Sequence, residues 1–539
     1  MIARFIILRS ALFVGALFFI VANSFAQNGL ELLPGSERAY KDKKTGHMVL
    51  VGSATFKYQG NIMFCDSARF DLKRSKVWAY GNVHINKRDT LNLYCDSLRY
   101  DGKTKKAKLK GNVRVRDQEY KLTTNELDYD ADKGQASYYT GGRVEGSKTR
   151  EVLTSQIGYY YPESKNFSFA KNVVYQGQDM KMTTDTLQYR AYQQRAYFYG
   201  PTDIQAKNAT MYCESGWYQT DTEEGKLSGN AWISRDSSYI SGDTLIYLAQ
   251  SGTYEGIGDV YYMDSTENLV FTGDYAFASD SSHYTLLTGK AIASKMMEND
   301  TLHIHADTLY NYKKDTINVL RAYHGAKTYS RNFQSQSDSL VYDKSKEKVE
   351  LHESPIVWSN ETELKGTYME MFVRDSIIDS VNIYNKGTIL MEIEPKLYYN
   401  QVHGNDIKAV FKNNEMHRAF VYGNAMTIAY PEEDEKTDST LVKHRKGMNR
   451  LYSSDIRVDF DSSEIIGIAY LKQPDGAFYP MTQIAKHEQF VPGFIWKGFL
   501  RPMNKEALLI DMDTITPEEQ IGPESQAPDD NTEETVESN

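Results

Sequence analysis

The chain repeats itself. Residues 81–85 read Gly-Asn-Val-His-Ile, residues 91–100 read Leu-Asn-Leu-Tyr-Cys-Asp-Ser-Leu-Arg-Tyr, residues 107–110 read Ala-Lys-Leu-Lys, and at Gly111-Asn112-Val113-Arg114-Val115 the order begins again. A period near thirty residues marks stacked units, none of which buries its apolar face without a neighbour. This constraint outranks length, since 539 residues would otherwise predict several compact domains.

The register within a unit predicts its shape. Leu109, Val113 and Val115 share one parity while Lys108, Lys110, Arg114 and Arg116 take the other, the period-two pattern of a strand with one buried face. Leu91, Leu93 and Cys95 are odd, yet Leu98 and Tyr100 are even. The slip across Asp96-Ser97 requires a corner or bulge if both apolar sets face one interior. It recurs at Tyr120, Leu122, Thr124 and then Leu127, Tyr129; at Met180, Met182, Thr184 and then Leu187, Tyr189; and at Ile240, Gly242 and then Leu245, Tyr247.

Aligned on that corner, an Asp-like residue recurs at Asp66, Asp96, Asn125, Ser155, Asp185, Glu214, Asp243, Asp274, Asp307, Asp338, Thr367, Asn405 and Ser454. Its exchange among Asp, Asn, Ser and Thr fits turn-type hydrogen bonding, which these share, and not acid–base or metal chemistry, which they do not. We therefore read Asp66, Asp96, Asp185, Asp243, Asp307 and Asp338 as structural corners. The residue before each is small, from Cys65 and Cys95 to Gly366 and Ser453, as expected of a pinched inner column. The glycines at Gly60, Gly81, Gly111, Gly142, Gly200, Gly229, Gly258 and Gly289 mark a second close approach or kink per unit. Equivalent cysteines about 10 Å apart, two strands in one sheet, are too distant to bridge, so Cys65, Cys95 and Cys213 read as free buried thiols.

Residues 1–26 have the basic start, apolar run and Ser24-Phe25-Ala26 site of a cleaved signal peptide, which places the mature chain in an exported compartment. Hydrophobic residues at 40%, aromatics at 12% and forty Tyr suit a β-rich core. Of the formal charge of −10, eight acidic residues lie in 517–539 without a Lys or Arg, so the body is nearly balanced and gives no electrostatic reason to bind nucleic acid. Phosphate-loop, zinc-helix and nucleophile-elbow motifs are absent, and no cofactor is expected. His303-Ile304-His305 occurs in a single unit and reads as a surface or groove pair.

The Gly-Asn-Val-x-Ile steps, the Asp-Ser-Leu-x-Tyr-Asp corner at residues 96–101 and the Ala-x-Leu-x-Gly-Asn-Val step at residues 107–113 resemble the OstA-like family, the LptA type of periplasmic lipopolysaccharide-transport protein. The resemblance covers residues 40–345 well and 346–470 more loosely. It implies an all-β, elongated repeat array, a half-open β-jellyroll of about thirteen units. It also implies a non-enzymatic carrier in the periplasm that shelters lipid A acyl chains on the way to the outer membrane. Its partners would be lipopolysaccharide and other transport components, joined end to end by strand pairing and linking the chain to the membranes. From the residues alone, the groove-facing candidates are Val83, Ile85, Leu91, Leu93, Leu98, Val113, Val115, Leu122, Leu127, Leu187 and Leu245. An exported solenoid acting on or binding polysaccharide, or a repeat scaffold or adhesin, is the alternative.

The expected division is signal peptide 1–26, N-terminal edge or cap 27–57, regular repeats 58–345, looser repeats 346–470 with a charged exposed loop at 431–447, a Pro/aromatic cap or docking segment 471–510, and an acidic disordered tail 511–539. Two strands per sheet per unit predict an array roughly 120 Å long. Small-angle scattering from residues 27–516 should report such a maximum dimension, whereas a particle near ~70 Å would mean repeats folded back on themselves.

Overall fold

The computed structural model describes residues 31–510 apart from short internal stretches. The expected signal peptide at 1–26, Gly60 and the tail at 511–539 lie outside the described residues. What is described is almost entirely antiparallel strand, with only short 3-10 turns between. Two compact units are present: residues up to Tyr262 with Ser279–Ser281, and the remainder. The change of spacing expected near 345 does not coincide with that division.

In the first unit, long strands follow one another as hairpins: Met48–Tyr58, Asn61–Asp71, Lys76–Lys87, Leu91–Asp101, Lys106–Arg116 and Tyr120–Asp130. Each pairs with its neighbour along both halves, with one register shift between. Lys76–Lys87 meets Leu91–Asp101 from Lys76↔Asp101 to Tyr80↔Ser97, then from Val83↔Cys95 to Lys87↔Leu91. Gly81 and Asn82 thus stand opposite Asp96 alone, a bulge that bends the strand. Inward positions stay odd on Lys76–Lys87 and slip on Leu91–Asp101, which is the parity change seen in the sequence. Every strand so bent contributes to two half-sheets hinged along the row of bulges. Their apolar faces are turned together: Phe56 from one half meets Phe70 from the other edge-on at 5.0 Å.

The bend is backbone chemistry. Gly81 and Asn82 have φ of 70° and 45°, and Gly111 and Asn112 have 75° and 46°. A Cβ on Gly81 would lie 2.1 Å from Asp66 Oδ2 and one on Gly111 2.2 Å from Asp96 Oδ2. Asn82 Nδ2 donates to the Asp66 carboxylate at 3.1 Å and Asn112 Nδ2 to Asp96 at 2.9 Å. Asn230 repeats the bond to Glu214 Oε1 at 2.7 Å. Asp185, Asp243, Asp307 and Asp338 also stand at bends, Asp307 donating its N–H to His324 O and Asp338 facing His324.

Three alignments need correction. Ser155 is the small inner residue of its unit and Gln156 the corner, its N–H bonded to Lys171 O at 3.0 Å; the sequence motif is degenerate there and the slip is one residue. Gly142 is not the kink, because Gly141 carries the positive φ of 91° while Gly142 lies beneath the Tyr138 ring. The first corner is Gly52-Ser53 latched by Glu37, whose N–H donates to Gly52 O at 3.0 Å. Around it, Glu31–Leu32 and Arg38–Lys41 pair with the two halves of Met48–Tyr58 as edge strands.

The second unit uses the same bend, as between Glu415–Ala429 and Gly447–Asp461 with the shift at Tyr422/Ala425. Its interior is filled by Leu351, Leu364, Met369, Ile383 and Ile389, all fully buried. One outer face is apolar too, with Trp358, Leu390, Tyr399, Met426, Ile428 and Met448 buried on it. The segment expected to cap the array end covers that face instead. Asp475–Pro480 is an edge strand on Gly447–Asp461, and residues 481–510 then run back across the outside. Gln401 Nε2 donates to Gln489 O at 2.7 Å, Lys497 N to Glu363 Oε2 at 3.0 Å, Arg501 Nε to Gln334 Oε1 at 2.6 Å, and Lys327 Nζ to Ile510 O at 2.6 Å. An apolar outer face, not an open edge, dictates the cover. Within the charged stretch at 431–447 the backbone forms a two-stranded hairpin, Glu432–Thr437 with Thr440–Arg445.

The latch yields a coupled prediction. Gly111→Ala should destabilise the chain by about 2 kcal/mol in urea unfolding, through the αL penalty and the Asp96 clash. In an Asp96→Ala background the loss should shrink, because the clashing carboxylate is gone. Equal losses in both backgrounds would rule out the latch.

Candidate lipid trough

The structure places all the groove candidates on the inner faces of the first unit. Val83, Ile85, Leu91, Leu93, Leu98, Val113, Val115, Leu127, Leu187 and Leu245 are buried, and Leu122 packs half-buried beside them. Val83, Val113, Val115 and Leu127 are the deepest, at 0–1% exposure. These belong to strand positions next to the bend, where the two half-sheets converge. Charged residues of the same strands alternate outward: Lys108 and Lys110 pair with Glu126 at 3.0 Å on the solvent side.

The narrow column at the bend is occupied by Cys65, Cys95 and Cys213 as free buried thiols. Cys95 stands opposite Val83 and Cys65 opposite Ala54, with Lys76–Lys87 between the two cysteines. Burial pushes the Cys65 thiol up to about 11 and those of Cys95 and Cys213 up to about 12; the adjacent Asp66 and Asp96 carboxylates push in the same direction.

A second inner row lies two residues beyond Leu98 and its equivalents. It comprises Tyr100, Tyr129, Tyr160, Tyr189, Tyr218 and Tyr247, one per unit. The strands between them carry Ala107, Ala136, Phe167, Ala196 and Gly225 at the same level. Tyr100, Tyr129, Tyr189 and Tyr247 were visible in the phase of the repeat and Ala107 in its Ala-x-Leu-x-Gly-Asn-Val step; Ala136, Phe167, Ala196 and Gly225 were not, because the motif is not kept there. Access to the interior varies along the unit. Leu109 is 1% exposed, whereas Leu227 at the same place in Glu224–Arg235 is half-buried, as are Ile233 and Ile240.

His303 and His305 of the second unit face outward, His303 Nδ1 lying 2.8 Å from Ser294 Oγ and His305 Nδ1 donating to Ala291 O at 2.8 Å. Burial lowers the pKa of both. Among the described residues no group of three metal-ligating side chains converges.

The model of the OstA-like protein family matches residues 35–185, from before the first corner to the corner at Asp185. That stretch is similar to OstA-like proteins. The matched segment lies wholly within the first unit and contains nine of the eleven groove candidates; Leu187 stands two residues past its end and Leu245 further on. Among solved structures, the chain is similar to LptH, described as the LptA homologous periplasmic component of the conserved lipopolysaccharide transport device from Pseudomonas aeruginosa, at 17% identity over 26% of this chain and 82% of that one, with a TM-score of 0.15. No curated protein matches the chain.

The raised thiol pKa values set a test of the inner column. At pH 8 iodoacetamide should modify Cys65, Cys95 and Cys213 at least about a hundredfold more slowly in the native protein than in urea, read by mass spectrometry. Fast native labelling of Cys95 would place it outside the interior.

Proposed function

We propose that the chain is a non-enzymatic carrier that moves lipopolysaccharide through the periplasm toward the outer membrane, its acyl chains held between the two half-sheets of the first unit. The observation that carries this reading is the predominantly apolar inner face from Leu50 to Leu245, two buried clusters that share Phe167, contributed by both half-sheets and flanked by outward charge. The OstA-like match supports it. Each methylene transferred to such an interior gains about 0.8 kcal/mol, so affinity comes from the sum of many contacts and requires no decisive side chain. Sugars and phosphates stay in water, since taking them inside without hydrogen-bond partners costs several kcal/mol per group, ~2–7. Export by the signal peptide and association with the membranes through partner components belong to the same reading.

Photocrosslinkers at Leu93 and Leu122 should capture glycolipid, and one at Arg114, on the outer face, should not. Equal capture at all three positions would eliminate the inner trough as the path.

A further inference from the structure

Residues 481–510, which cover the second unit, are apolar on both of their sides, and what lies beneath explains only one. Val491 and Phe494 are buried against Leu390, Tyr399 and Met426, and Pro502 and Leu508 are buried further along. A cover is complete with such groups below and polar groups above. The outer side of this one instead presents Ile495 at 48% exposure, Phe499 at 43%, Met503 at 71%, Leu509 at 41% and Ile510 at 52%. Single apolar side chains at a surface carry no meaning, but several in succession leave burial unused and mark a surface that meets something else.

The hydrogen bonds to Gln401, Glu363, Gln334 and Lys327 hold this row in place. Those four residues stand on strands joined in one succession, from Tyr398–Gly404 through Gly387–Glu394, Thr362–Lys365, Ile356–Ser359 and Gln334–Asp343 to Ile317–Tyr329. The cover therefore crosses five strand spacings, about 24 Å, with its exposed side chains along that line. Cations are interleaved with them. Lys486, Lys497 and Lys505 pair with no carboxylate among the described residues, whereas Glu488 is held by Arg450. Residues 481–510 contain four Lys and Arg against two acidic residues, in a chain of formal charge −10.

We infer that the outer side of residues 481–510 is a docking surface for an anionic lipid bilayer. Ile495, Phe499 and Met503 enter the boundary of the acyl region, and the stems of Lys486, Lys497 and Lys505 keep their ammoniums at the headgroup phosphates. Apolar groups alternating with unpaired cations along an extended line call for a partner that is apolar at depth and anionic at its surface over the whole of that line, and a bilayer offers both. The acidic residues beyond 510 oppose such a surface, so the apolar side chains supply attraction that charge alone does not. Because the rest of the chain is not drawn to an anionic surface, the contact also sets how the protein is oriented on it. The inference is independent of the carrier reading, whose trough lies inside the first unit.

The test floats the full mature chain with vesicles of phosphatidylcholine, with or without phosphatidylglycerol. Wild type should bind the phosphatidylglycerol vesicles, and added salt should weaken that binding. Lys486→Gln, Lys497→Gln and Lys505→Gln together should lower the binding constant about a hundredfold, at about fivefold per lysine. Ile495→Ser, Phe499→Ser and Met503→Ser together should lower it about tenfold or more. Leu72→Ser, which alters an apolar residue of the first unit that is 66% exposed, should leave it unchanged. A second measurement locates the contact without weakening it: Phe499→Trp should add fluorescence that vesicles of acyl-brominated phosphatidylglycerol quench, and Leu72→Trp should add fluorescence that they do not. Wild type that ignores anionic vesicles, or binds both compositions equally, would overturn the inference, as would bound Phe499→Trp protein whose added emission is not quenched. Glycolipid captured at Leu93 alongside any of those results would leave the carrier reading standing.

Discussion

A residue at positive φ, most often two in succession, pressed against a side chain of the preceding strand, bends the ribbons, and the rest of the structure depends on that bend. Without it the strands would form one flat sheet with a single apolar face and no second face to cover it. With it, the two-against-one count at the bulge turns both apolar sets inward. The constraint is conformational more than chemical. Gly81-Asn82 meets it with Gly, yet Lys171-Asn172, Glu353-Ser354 and Asn385-Lys386 adopt the same pair of left-handed conformations. Each such non-Gly residue costs about 1–2 kcal/mol, offset by the pairing of whole strands on either side. The Asn–Asp bond, worth about 1 kcal/mol, selects the position of the bend among its neighbours.

The same dependence explains what was legible in the sequence. A bend that reverses parity leaves its mark on every apolar residue of the strand, so Leu93, Leu98 and Tyr100 announce both the corner and the inward face. Where the motif degrades, as at Ser155 and Gln156, the hydrogen bond from Gln156 N to Lys171 O is backbone-only and leaves no side-chain trace. Glu37 was missed because a longer carboxylate reaches the same place. The cover over the second unit had a different signal. Ile356-Val357-Trp358 and Ile389-Leu390-Met391 are apolar at both parities, as befits strands buried on both faces. An argument built on period-two alternation passes over runs that do not alternate.

The covered face also shows why a polar strip was needed beneath residues 481–510. An irregular segment lying across strands carries its own N–H and C=O groups into a buried place, and each requires a partner. Glu363, fully buried, accepts from Lys497 N and from Trp358 Nε1 and lies 3.0 Å from Lys365 Nζ. Gln401 both donates to Gln489 O and accepts from Val491 N. Burial raises the Glu363 pKa and lowers that of Lys365, so the pair is held at a cost in solvation. Removing one partner alone would leave a buried charge unmatched, typically a loss of about 3–5 kcal/mol. The second unit is thus filled within and sealed on one outer face, while the first keeps a polar exterior.

In the first unit the informative comparison is between positions of identical register. Leu109 and Leu227 occupy the same place on equivalent strands, and only the second meets solvent. The difference lies in their neighbours: Leu98 and Ala107 beside Leu109 are replaced by Gly216 and Gly225 beside Leu227. Gly216 gives its space to Phe198, so no emptiness results there. Gly225 gives its space to nothing in the chain. Apolar surface left in water costs about 25 cal/mol per Å², and a repeat that supplies Ala at this place three times over has a ready means of avoiding that cost. Half-buried Leu227 beside the unfilled Gly225 is thus a place where the repeat forgoes apolar burial that Leu109 and Ala107 secure at the same register.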